Sequence, residues 1–165
     1  MAKTDLTAER LRELLDYDPE TGIFINRISR GKAKNGCQAG SRHHDGYRQI
    51  CIDGRVYGEH RLAWIYVYSV TPLNDIDHID GNRSNNAISN LRDVSRSQNL
   101  QNQRVCRSDN KSGFLGVSWN QETELWYARI QINKIQKGLG YFKTPEDAHL
   151  AYLNAKREIH STCTI

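Results

Sequence analysis

The sequence predicts an α+β fold arranged in two small units. Helical periodicity appears in separated stretches, while short segments bounded by Gly, Asp, Asn and Pro read as strands. A polar, unpatterned stretch, QNQRVCRSDNKS over 101–112, has the character of a linker and divides the chain.

Within residues 6–15, Leu6, Leu11, Leu14 and Leu15 lie near one helical stripe, with Asp5 or Thr7 available as N-cap. Asp18-Pro19-Glu20-Thr21-Gly22 reads as a turn leading into a short strand, Ile23 to Arg27. Residues 28–45, rich in Gly, Ser, Lys and Arg, read as loop. Tyr47 to Ile52 and Arg55 to Glu59 flank Asp53-Gly54, a strong hairpin signal because type I′ turns need positive φ at both central positions. HRLAWIYVYSV, from His60 to Val70, is apolar enough for a buried helix that stops before Pro72. Past the linker, Phe114–Trp119, Leu125–Asn133 and Ile135–Phe142 read as three strands. Thr144 then caps a helix with Pro145 at its first position, and Ala148, Ala151, Tyr152, Ala155 and Ile159 line one side.

The 165-residue chain has 38% hydrophobic and 25% charged residues, a globular composition. No apolar run approaches the ~20 residues that span a bilayer, and the N-terminus lacks the apolar core of a secretory signal. A cytoplasmic protein without membrane partners is the expectation. The formal charge of +4 and pI near 8.9 are compatible with nucleic acid without being diagnostic. Arg83, Arg92, Arg96, Arg104 and Arg107 fall in one stretch whose only acid is Asp93; such a run is either a solvated face or a phosphate-facing one. Cys37, Cys51, Cys106 and Cys163 form no C-x-x-C pair, so reduced thiols are expected rather than structural zinc, despite His43 and His44 nearby.

Asp77-His78, a Gly81-Asn82 turn, Asn85-Asn86, Asn90-Leu91 and then Ser95 to Asn99 read as strand, long polar loop, strand and helix. Breaking a phosphodiester requires an activated water and a cation on the developing oxyanion. Histidine suits the first task, since its pKa of ~6.5 makes it a base near neutrality. A hard cation suits the second and prefers oxygen ligands, which a carboxylate and an amide provide. Adjacent residues on a strand point to opposite faces, so Asp77 and His78 can cooperate only where the strand end bends.

DHIDGNRSNNAISNLR followed by SQN resembles the HNH endonucleases, the ββα-metal nucleases, and especially their phage and bacterial homing-type members. The resemblance implies His78 as general base, Asp77 and Asn99 as ligands of Mg²⁺ (Mn²⁺ able to substitute), and Asn90 as a loop brace. It also implies products ending in 5′-phosphate and 3′-hydroxyl. YDPETG, AGS, GYRQI and HRLAW resemble the N-terminal portion of such phage-type proteins. His60 and Arg61 open a helix; a structural role and a phosphate-facing role for Arg61 are both open, as is a polarising role for His60.

SGFLGVSW, LWYARIQI and GLGYFKTPEDAHLAY resemble the plant ethylene-response-factor type of DNA-binding domain, a three-stranded antiparallel sheet backed by one helix. Alternation places Ala128, Ile130 and Ile132 toward the helix and Tyr127, Arg129, Gln131 and Asn133 outward. A two-stranded ribbon is among the few elements that the major groove admits. Leu115, Ser118 and Gly138 depart from the plant pattern, so its base-reading code does not transfer. Candidate DNA contacts are Ser118, Trp119, Arg129, Gln131, Gln136, Lys137 and Tyr141, with Arg61, Arg83 and Arg96 from the first half; Trp126 reads as core.

The expectation is a ββα-metal nuclease domain over 1–105, a linker over 106–112 and a sheet-plus-helix DNA-binding domain over 113–165. It acts on double-stranded DNA as a monomer or homodimer. The competing class is a catalytically inactive DNA-binding regulator on a nuclease-like scaffold.

Overall fold

Thr7 caps the first helix, α1 (Ala8–Leu14), its hydroxyl accepting from the Arg10 amide at 3.2 Å. The computed structural model describes residues 6–101, 106, 109–132 and 135–159. Asp5, Arg104, Arg107, Asn133 and Cys163 therefore lie outside the described residues. The chain divides into two compact units, Met1–Arg96 and Ser97–Ile165.

In the first unit the helical stripe ends one residue early. Leu15 leaves α1 with extended backbone and begins β1 (Leu15–Asp18), which pairs antiparallel with β2 (Ile23–Asn26) across the Pro19–Gly22 turn. Leu15 and Tyr17 are buried and Asp16 and Asp18 exposed, the two-residue period of a strand with one covered face. The loop expected over 28–45 contains one short strand, β3 (Ser41–Arg42), which pairs with β4 (Arg48–Ile52). β4 and β5 (Arg55–Gly58) form the expected hairpin, with Asp53 and Gly54 both at positive φ, 48° and 79°.

Helix α2 (Glu59–Tyr68) packs against β4 and β5, and ends at Ser69 in the left-handed conformation. Leu11, Leu14, Phe24, Ile52 and Leu62 are fully or almost fully buried at the centre of this core. β6 (Asp75–His78) and β7 (Leu91–Val94) make a separate antiparallel pair whose buried Ile76 and Leu91 join the same core. A single 3₁₀ turn, Ile88–Asn90, ends the loop between them and packs on α2.

Helix α3 (Arg96–Gln101) begins at the last residue of the first unit, and the second unit contains a sheet in the order β10-β9-β8, all neighbours antiparallel. These strands are β8 (Val117–Asn120), β9 (Leu125–Ile132) and β10 (Ile135–Phe142). The first begins three residues later than expected; before it the chain is gathered into a turn about the Ser112 hydroxyl, which accepts from the Phe114 amide and has the Asn110 side-chain oxygen and the Phe114 and Val117 carbonyls within reach of its single proton. Helix α4 (Pro145–Ile159) packs on all three strands. The Thr144 hydroxyl accepts from the Asp147 amide and donates to its carboxylate at 2.7 Å. Ala128, Ile130 and Ala148 are buried, Ile132 is half-buried, and Arg129 and Gln131 are exposed, matching the alternation. Lys156, on the same helix, is buried as well, which its residue type does not suggest.

Candidate active site

The β6–β7 hairpin carries Asp77, His78 and Asn90 on one short element. Its cross-strand register sets Asp77 opposite Arg92, and the two side chains pair: Arg92 Nε and Nη2 donate to Asp77 Oδ2 at 3.0 and 2.7 Å. His78 is the last residue of β6 and is only 3% exposed. The chain turns away immediately after it, with the Gly81 amide bonded to the His78 carbonyl at 2.9 Å.

The loop that follows is held by its own side chains. Asn90 accepts from the Asp80 amide at 3.0 Å and donates to Asp80 Oδ1 and to the Asn85 carbonyl, each at 2.9 Å. Two of these three bonds are to backbone. Asp80 also accepts from the Asn82 amide and from the Asn85 side chain. Burial works to raise the Asp80 pKa, but the bonds from Asn85, Asn90 and Asn82 outweigh it and hold the carboxyl below its ordinary value. Asp80 is thus fixed as an ionised loop acceptor.

The His78 ring lies in a half-closed aromatic setting. The Tyr47 and His60 rings stand 5.8 and 5.4 Å from it, centroid to centroid. Its Nε2 is 3.1 Å from Asn86 Oδ1. Asn86, 1% exposed, donates from Nδ2 to Glu59 Oε2 at 3.2 Å, and Glu59 in turn receives Arg48 Nε at both oxygens, 3.0 Å each. Burial lowers the His78 pKa, against the opposing pull of Asn86, Asp80 and Asp77. Burial raises the Glu59 pKa, against Arg48 and Asn86. Burial, with the charges of His78 and Arg61, brings His60 to about 4. Both imidazoles are therefore neutral near pH 7, the form in which a histidine accepts a proton.

Residues 57–101 match the family model described as HNH endonuclease. This stretch is an HNH endonuclease domain. A relative, "Protein 3.8" of Escherichia phage T7, is 47% identical over 55 residues, covering 33% of this chain. The chain matches about 45% of that protein's length. A solved structure, "DNA binding and cleavage by the HNH homing endonuclease I-HmuI", aligns with a TM-score of 0.43 at 20% identity, over 82% of this chain and 75% of that one. The HNH domain contains Asp77, His78, Asn86, Asn90 and Asn99, together with Glu59; Arg48 lies before it.

The other expected site residues are placed as follows. Asn99 is half-buried on α3, in the second unit, and Arg96 is exposed at the start of that helix. Arg61 donates to the Asn74 and Pro72 carbonyls, closing the loop after α2. Arg83 donates to the Asp45 carbonyl at 2.9 Å and stacks over the Tyr47 ring at 4.9 Å. Each guanidinium has five N–H donors, so these bonds leave others that can reach a phosphate. In the second unit Trp119, Arg129, Gln131, Gln136, Lys137 and Tyr141 are exposed, and Ser118 is half-buried. Arg129 reaches Gln136 across the strands at 3.2 Å, and Tyr127 and Tyr141 rings lie 4.9 Å apart. Trp126 packs into the core, with Trp119 edge-on to it at 5.1 Å.

Among the described residues no group of three or more His, Cys, Asp and Glu is placed to hold a metal. A carboxylate plus an amide nevertheless suits a hard cation that takes its remaining ligands from water and phosphate. No helix among the described residues is long and apolar enough to cross a membrane. Sequence reasoning missed Asn86, Glu59 and Arg48. Asn85-Asn86 read as turn chemistry, and only an acid immediately before an apolar helix pointed toward Glu59.

Proposed function

We propose that the protein is a metal-dependent endonuclease hydrolysing phosphodiester bonds of double-stranded DNA. The observation that carries this reading is the buried, neutral, hydrogen-bonded imidazole of His78 beside Asp77 inside the HNH domain. His78 takes the proton of the attacking water, for which its depressed pKa leaves it unprotonated at neutral pH. Asp77, its carboxylate steadied by Arg92, is an oxygen donor that would hold Mg²⁺, with Mn²⁺ able to substitute, and the sequence motif implies the Asn99 amide as the second donor. That cation, when bound, supplies positive charge to the leaving 3′-oxygen. Asn90 acts on the loop rather than on the substrate.

The sheet and helix over 113–165 serve as the targeting module, joined to the nuclease domain through residues 106–112. Ser118, Trp119, Arg129, Gln131, Gln136, Lys137 and Tyr141 form its DNA-facing set on the ethylene-response-factor-like sheet. Arg61, Arg83 and Arg96 contribute phosphate contacts from the nuclease half. One catalytic site per chain nicks one strand; a double-strand break then requires a homodimer or two binding events.

The test is nicking of supercoiled plasmid in Mg²⁺, with DNA binding followed separately by fluorescence anisotropy. His78→Ala abolishes nicking and leaves binding near normal. A variant as active as the wild type removes His78 from the base role. A wild type that binds but is inert in both Mg²⁺ and Mn²⁺ favours the DNA-binding regulator.

A further inference from the structure

The geometry points to Asn86 and Glu59 as positioning residues that, anchored by Arg48, fix which nitrogen of His78 carries the proton. This inference rests on His78 being the base, and it adds what decides the basic atom.

The relay is built from the outside inward. Arg48 donates from Nη2 to the Ala39 carbonyl at 2.9 Å and from Nε to both Glu59 oxygens, so both oxygens are acceptors. Glu59, at 1% exposure, is pressed from the other side by the Gly40 backbone, where an added Cβ would stand 2.5 Å from Oε1. Glu59 Oε2 then accepts from Asn86 Nδ2 at 3.2 Å. Turning the Asn86 amide over would set Oδ1 against a carboxylate oxygen, two acceptors without a proton between them, which is costly in a buried site. Nδ2 therefore faces Glu59 and Oδ1 faces His78. An amide oxygen can only accept, so His78 donates from Nε2, and Nδ1 holds the lone pair.

Asn86 has its own anchors. The Tyr17 hydroxyl donates to its carbonyl at 2.7 Å, and the Ile88 amide donates to the Pro19 carbonyl at 3.0 Å. The YDPETG segment thus steadies the loop that steadies the base. A histidine held in the wrong tautomer loses most of its catalytic power even when its position is kept.

The decisive measurement is long-range ¹H–¹⁵N correlation on the full chain with ¹⁵N-labelled histidine, recorded without metal. The expected His78 pattern is a protonated Nε2 and an unprotonated Nδ1. Glu59→Gln offers Asn86 both a donor and an acceptor, so its amide can sit either way and His78 shows mixed tautomers. The same variant loses plasmid nicking by roughly 10- to 100-fold in Mg²⁺, with plasmid binding unchanged. A wild-type His78 protonated at Nδ1 overturns the inference. So does a folded Glu59→Gln with one tautomer and wild-type nicking. If Glu59→Gln does not fold, the wild-type spectrum still decides the tautomer, and Arg48→Lys, which lacks the guanidinium fork, tests the anchor by the same two readouts. Failure of the base assignment looks different: His78→Ala then nicks DNA while the Nε2–H tautomer is still seen.

Discussion

Replacing Gly22 by Ala tests the brace between the first hairpin and the loop that follows His78. Gly22 has φ +72°, and a Cβ built there would lie 2.2 Å from the Asn86 carbonyl carbon and 2.3 Å from the Ala87 nitrogen. The left-handed conformation alone costs an Ala about 1–2 kcal/mol. The overlap is with backbone, which cannot rotate aside, so the turn and the 86–88 segment must separate. Separation breaks the Tyr17 hydroxyl bond to Asn86 and the Ile88 amide bond to Pro19, each about 1 kcal/mol when buried partners are lost. The sum is about 3–4 kcal/mol, a large share of the ~5–15 kcal/mol that holds a typical domain together. Gly31→Ala is the matched control: φ is +54°, with nothing within 4 Å of its Cβ, so only the backbone cost of about 1–2 kcal/mol applies. Urea unfolding of the full chain followed by circular dichroism measures both, and plasmid nicking is assayed where each remains folded. Gly22→Ala loses stability and nicking together; Gly31→Ala loses little stability and keeps nicking. Equal midpoints for the two variants, with nicking intact in both, would refute the idea that this contact braces the loop.

His60 makes stability depend on acid. Its folded pKa of about 4 lies below the ordinary 6.5, so the unfolded chain binds the proton first, and stability falls as pH drops from 6.5 toward 4. The loss from this group is about 2 kcal/mol at pH 5, and His60→Leu flattens that part of the urea-midpoint profile without abolishing the contribution of other groups. In the second unit, Ser112→Ala removes the hydroxyl that accepts from the Phe114 amide and donates its one proton among the Asn110, Phe114 and Val117 oxygens, lowering that unit's stability by about 1–2 kcal/mol in thermal melts; an unchanged melt would show the turn to be self-supporting. Arg129→Ala weakens plasmid binding and reduces the salt dependence of log Kd by about one ion, measured by anisotropy across a salt series. An unaltered slope takes Arg129 off the DNA-facing set.

Much of this architecture was legible because local chemistry decided it. Asp53-Gly54 dictated a hairpin, Thr144-Pro145 a helix start, and the alternation of β9 its two faces. The order of Asp77, His78, Asn90 and Asn99 marked the HNH domain before any coordinates. Strand β1 escaped because Leu14-Leu15 continues a helical stripe as readily as it opens a strand; pairing with β2 decides between them, and pairing is not local. The relay behind His78 escaped for a similar reason. Arg48, Glu59 and Asn86 come from a strand, a helix start and a loop, and nothing in their spacing along the chain declares that they meet. Asn86 in particular looks like any turn asparagine until Glu59 is seen to fix its amide. Arg61 was legible as an arginine opening a helix, but not as the residue whose guanidinium bonds the Pro72 and Asn74 carbonyls.

The grip of the Tyr17–Gly22 turn on Asn86 and Ile88 also has a kinetic meaning. These contacts join segments far apart in the chain, and such contacts form late because loop closure must be overcome before they reward it. Ordering of the loop beside His78 is thereby tied to docking of the first hairpin. The shape of that loop is therefore set by long-range contacts from the first hairpin as well as by its own local motif.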